Sequence, residues 1–171
     1  MWYIKDREKE EKDMILAIDV GTTETGYCLM DKDTYKPIKF GKIGNEELLK
    51  IVKEEEYDEL VYEEFQSYGM PIGVSTITSI TWNGRYIQSA LDRGKKVNFV
   101  YRKEEKINLC NSMKAKDSNI RQALIDRFAE FDFKNGKGTK GNKDFFYGFS
   151  KDVWAAYAVG CTYLDKQKEG L

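Results

Sequence analysis

Three acids far apart in the chain stand where chemistry could be built: Asp19, Glu63 and Asp152. Asp19 ends the apolar run Met14-Ile-Leu-Ala-Ile and is followed by Gly21, a polar turn, and a second apolar run after Gly26. That pattern predicts two strands joined by a tight hairpin, with a carboxylate at the tip of the first. Glu63 and Glu64 close a second short run, Leu60-Val61-Tyr62, in the same way. Asp152 falls in the first turn of a helix predicted to start after Ser150. Each has an ordinary explanation alone. A turn backbone can hydrogen-bond Asp19, a solvated strand end suits the Glu pair, and a first-turn acid favours the helix dipole. Yet a charge ending a buried strand is costly without a partner. The C-terminal edge of an open α/β sheet is also where sites form.

Composition narrows the chemistry. The chain has no His, which removes Ser-His and Cys-His nucleophilic schemes and His-bearing zinc sites. Hydrolysis would have to rest on carboxylates, lysines or tyrosines, and clustered carboxylates suit hard cations such as Mg2+ or Mn2+. The 171 residues, 41% hydrophobic and 33% charged, fit one soluble domain. Cys28, Cys110 and Cys161 are odd in number and widely spaced. Reduced thiols and a cytoplasmic location are expected, with no membrane span and no signal peptide. Net charge is −1 overall, but residues 1–64 carry −8 and residues 65–171 carry +7. Within 93–143, 14 Lys and Arg stand against 6 Asp and Glu. Such asymmetry points to a polyanionic partner, although any one charge run is more often a solvated face.

The elements that must position the acids follow in order. Residues 1–13 predict a flexible extension, 14–165 the folded domain, and 166–171 a frayed tail. Strands are predicted over 14–20, 25–31, 36–43 and around 60–62, with a further strand at 97–101. Asn45-Glu46-Glu47 predicts a helix start. A long helix is expected from Ser75 to Arg93, with an apolar arc (Ile77, Ile80, Trp82, Tyr86, Ile87, Ala90, Leu91) wide enough for the sheet and a partner. Residues 102–117 read as a basic stretch, and Asp117 or Ser118 as the cap of the next helix. The segment 134–144 is a Gly/Lys loop. It lacks the lysine of a phosphate-binding P-loop, because Asn142 sits in its place. It reads either as a mobile surface loop or as one that tracks a nucleic-acid backbone.

The element order is three strands, helix, strand, helix, strand, then helices. With the motifs Ile18-Asp19-x-Gly21-x4-Gly26-Tyr27, Val61-Tyr62-Glu63-Glu64-Phe65, Lys106 with 114–124, and 150–160, the chain resembles the RuvC-type Holliday junction resolvases of bacteriophages and prophages. The resemblance spans about residues 14–165. It implies an RNase H-like α/β fold with a central mixed five-stranded sheet flanked by helices. It implies a homodimer that nicks branched DNA, with Asp19, Glu63 and Asp152 holding two Mg2+ or Mn2+ ions. One ion would activate water and the other would stabilise the leaving 3′-oxygen. Lys106 or Lys116 would neutralise the growing phosphate charge. Arg102, Lys103, Lys106, Lys114, Lys116, Arg121, Lys137, Lys140 and Lys143 would face DNA. Many members carry a second acid three residues on in the last helix, where this chain has Ala155. Either three carboxylates suffice, with Glu64 or Asp117 assisting, or position 155 is an inactivating change.

Other classes remain open at this point. Asp19-Val-Gly-Thr-Thr-Glu-Thr-Gly also resembles the phosphate-binding hairpin of sugar kinases, but 171 residues are too few for their two domains. A RuvC-like nuclease of the YqgF type acting on structured RNA is one alternative. A non-catalytic junction-binding module is another.

Overall fold

Alternation along the first strand sets the architecture. In β1 (Met14–Asp19), Ile15 and Ala17 face one side of the sheet, Leu16 and Ile18 the other, and all four are fully buried. A strand buried on both faces belongs mid-sheet with helices on either side. The computed structural model, which describes residues 13–170, has that form. β1 pairs antiparallel with β2 (Glu24–Asp31), and β2 with β3 (Pro37–Gly44). On its other side β1 pairs in parallel with β4 (Glu59–Glu64), and β4 with β5 (Lys96–Tyr101). The order is β3-β2-β1-β4-β5. Two helices, α1 (Asn45–Glu54) and α2 (Val74–Asp92), cover the Leu16/Ile18 face. The other face is covered by α3 (Arg102–Cys110), α4 (Asp117–Phe128) and α5 (Lys151–Lys168). This is the RNase H-like α/β fold, with a mixed five-stranded sheet.

The last helix lies directly on the sheet. A Cβ on Gly160 would overlap the Met30 sulfur and press on Ala17, so glycine sets the approach of α5 to β1 and β2. Phe146 and Phe149 fold back onto α5, where they pack against Trp154 and Tyr157.

Several local expectations are corrected. Gly44, not Asn45, precedes α1 as its cap. The buried Asn45 side chain accepts from the Thr25 hydroxyl at 2.6 Å and donates to the Gly21 carbonyl at 3.1 Å, pinning the hairpin that follows Asp19. The basic stretch after β5 folds largely into α3, and Lys116 rather than Asp117 or Ser118 caps α4. The last helix continues through Lys168. Asp165 there accepts two bonds from Arg127, at 2.7 and 2.8 Å, and one each from Asn108 and Tyr35. The 134–144 loop is likewise held. The Asp144 carboxylate accepts from the backbone of Glu130, Phe131, Asp132 and Phe145, and Asp132 accepts from Asn135, Lys137 and Gly138. The expected extension 1–13 lies, Asp13 apart, outside the described residues.

Candidate active site

Register brings two of the acids together before any side chain is considered. β1 and β4 run parallel with Ile18 opposite Tyr62, so Asp19 and Glu63 are the next pair, on strands about 5 Å apart. Strand alternation puts both on the Ala17/Val61 face, the one that α5 covers. On the other side Asp19 pairs with Gly26, and Gly26 with Lys42. Gly26 also faces α5. A Cβ there would collide with the backbone carbonyl of Asp152, so this glycine is what lets the first turn of α5 rest beside Asp19. The row Lys42, Gly26, Asp19, Glu63 thus crosses the sheet edge with Asp152 above it.

The acids feel one another. Burial, then the charges of Glu63 and Asp152, push the Asp19 carboxyl up to about 7, against the opposing pull of Arg102 and Lys42. Lys42 meets Asp152 at 2.9 Å and Glu24 at 3.6 Å. Arg102 is ion-paired with Asp117 and reaches Glu105 at 3.5 Å. Glu105 is fully buried, and burial followed by the hydrogen-bond reach and charge of Glu63 drives its carboxyl far above the usual range.

Asp19 opens onto two clefts. The first lies against α2 and is lined by Glu63, Phe65, Ser75, Thr76, Ser79, Ile80 and Asn83, whose buried Oδ1 has no partner among the described residues. The second is lined by Arg102, Asp117, Arg121, Lys151, Asp152 and Ala155. Arg121 continues into a polar groove with Lys134 and Lys137.

The donor set fits a hard divalent cation, since it is carboxylate oxygen from three separate elements. Among the described residues no three His, Cys, Asp or Glu side chains stand close enough together to hold a metal ion. Instead Lys42 stands on Asp152 and the charge of Arg102 acts on Asp19, so protein cations partly offset the repulsion.

Other residues singled out in the sequence fall differently. Lys106 on α3 and Lys116 before α4 line neither cleft, and Arg102, Arg121 and Lys151 are the cations that do. Lys103 lies over the Tyr101 ring and lines a separate surface groove with Ile107 and Met113. Lys114 is exposed. In the Gly/Lys loop, Lys137 lines the basic groove, while exposed Lys140 and Lys143 do not, and Lys143 sits over the Tyr147 ring. Glu64 alternates to the opposite face, where it accepts from the Tyr62 hydroxyl and the Phe65 amide. Asp117 lines the second cleft. On α2, Tyr86 is fully buried and bonded to the Asn45 carbonyl, which removes it from any outer interface. Lys42, Glu105, Lys134 and Lys151 went unread. The rule that marked Asp19 and Glu63, an acid at a core-strand end, does not single out Glu105, which lies four residues past the end of β5 inside a charge run.

The fold is RNase H-like, and the row of acids stands at the C-terminal edge of β1 and β4. Solved structures with the same fold include Thermus thermophilus RuvC, at TM-score 0.68 and 13% identity over 92% of this chain and 96% of that one. T. thermophilus RuvC in complex with a Holliday junction substrate gives 0.66 and 13% over the same shares. The yeast mitochondrial Holliday junction resolvase Ydc2 gives 0.59 and 14%, over 92% of this chain and 80% of that one. No family model and no curated protein matches the sequence.

Proposed function

We propose that the chain is a metal-dependent, structure-selective endonuclease that nicks branched DNA, four-way junctions above all, as a homodimer. One observation carries this most: Asp19, Glu63 and Asp152, remote in sequence, share one face of one sheet edge beside a basic groove. The fold similarity to structures titled as junction resolvases points the same way. Asp19, Glu63 and Asp152 would hold two Mg2+ or Mn2+ ions, which supply Lewis-acid activation of water and of the phosphodiester. Lys42 would give up Asp152 on loading. Arg102 and Lys151 offer positive charge to the scissile phosphate, and Ser75, Thr76, Ser79 and Asn83 offer hydrogen bonds to the flanking backbone. Arg121, Lys134 and Lys137 would carry an arm of DNA away from the acids. A cytoplasmic location belongs to the same reading. Among the described residues no helix is long and apolar enough to cross a membrane.

The test is incubation of a labelled four-way junction with Mg2+ or Mn2+, beside linear duplex and structured RNA. Paired nicks near the branch point, absent from the duplex, are expected. Cleavage confined to RNA would move the substrate to that class. Tight junction binding with no cleavage in either metal would mark a binding module, a reading that Ala155, lining the second cleft without an acid, specifically favours.

A further inference from the structure

A fourth acid enters the same corner from an unexpected element. Glu105 sits in the first turns of α3, which starts immediately after β5 ends. Its side chain is fully buried. Oε1 accepts from Arg102 Nη1 at 3.5 Å, while Oε2 is sealed from solvent with no N–H or O–H donor aimed at it among the described residues. The Glu63 carboxylate is the neighbour within hydrogen-bonding reach. Arg102 in turn links Glu105 to Asp117, and its charge reaches Asp19. Glu105 therefore touches one candidate metal-holding acid and the arginine beside another, yet it lines neither cleft. A group so placed acts through its neighbours, and outer groups that orient ligating carboxylates carry much of a site's metal affinity.

We propose that Glu105 is a positioning residue of this site, fixing the Glu63 carboxylate from behind and tethering Arg102 beside Asp19. The proposal rests on the nuclease reading for what the site binds. A buried acid with a merely structural role would behave differently. Exchanging it for an apolar side chain of similar volume is often neutral or stabilising and leaves ligand binding alone.

The experiment compares Glu105→Leu, Glu105→Gln and Asp19→Asn in the full chain. Mn2+ binding is read from the electron paramagnetic resonance of free Mn2+, with melting temperature, junction affinity and nicking rate alongside. Leu keeps the volume and loses both contacts, whereas Gln keeps an amide that can donate to Glu63 and an oxygen for Arg102. Glu105→Leu should fold and bind junction as wild type but lose roughly 10- to 100-fold in Mn2+ affinity, with Glu105→Gln within about threefold of wild type. Wild-type Mn2+ affinity and nicking in Glu105→Leu would overturn the proposal. So would a Gln variant as impaired as Leu, which would make the charge itself the requirement. Mn2+ binding lost in Asp19→Asn but kept in Glu105→Leu would sink only the role of Glu105. A wild-type protein that binds no Mn2+ would overturn the nuclease reading as well.

Discussion

The surroundings of Asp19 oppose its ionisation. Burial and the neighbouring Glu63 and Asp152 lift its carboxyl from an ordinary 3.8 to about 7. As pH rises, the unfolded chain loses this proton first, so the stability the group contributes is full below about pH 4, falls toward about pH 7, and is flat above. In metal-free protein, Asp19→Asn should therefore melt with wild type near pH 4 and progressively above it as pH approaches 7. Melting curves in chelator across that range check this, and a pH-independent difference would separate Asp19 from the other acids. Glu63 and Glu64 make a second contrast. Strand alternation turns Glu63 toward Asp19 and Glu64 away, onto Tyr62 and Phe65. Glu63→Gln should slow nicking by on the order of 10²-fold or more, since metal-held charge stabilisation is worth several kcal/mol. Glu64→Gln should be much milder, and equal losses would contradict the facing that the register gives.

At the scale of elements, the close approach of α5 to β2 is what delivers Asp152. Gly26→Ala would push a methyl group into the Asp152 carbonyl. Overpacking of this kind costs about 1–3 kcal/mol. Denaturant titration should show that loss, and nicking should fall further than stability alone explains, because the displaced turn carries an acid. Unchanged nicking would mean Asp152 is not held by this contact. Much of this scaffold was legible in the sequence. The core strands are apolar runs, and an acid closing such a run is visible without a structure, which is why Asp19 and Glu63 stood out. What stayed hidden depends on partners distant in the chain. The α3 segment Arg-Lys-Glu-Glu-Lys reads as a charge run, and only packing beneath Arg102 reveals Glu105 as buried. Lys42 becomes relevant through the β2–β3 register that sets it opposite Gly26. Tyr86 belonged to a visibly apolar arc, but its side of the helix is decided by α1 and the Asn45 carbonyl.

At the scale of the whole molecule, Asp19 from the acidic first third shares a cleft with Arg102 and Arg121 from the basic 93–143 segment, and Arg121 leads on to Lys134 and Lys137 in the groove. The outer side of α2 carries exposed apolar residues, Val74, Ile77 and Leu91, as does the preceding loop with Tyr68 and Met70. The two-fold assembly implied by the proposed paired nicks fits this surface, and Ile77→Glu with Leu91→Glu should yield monomers in sedimentation. Monomeric wild-type protein that still cuts both strands would contradict it. The most direct measurement of the central claim is binding and cleavage of one four-way junction by wild type and Asp19→Asn, side by side in Mg2+ or Mn2+. Wild type should nick opposing strands near the branch point, while Asp19→Asn should bind the junction nearly as well and cut nothing. Cleavage by Asp19→Asn at the wild-type rate would contradict the assignment of the site to these carboxylates.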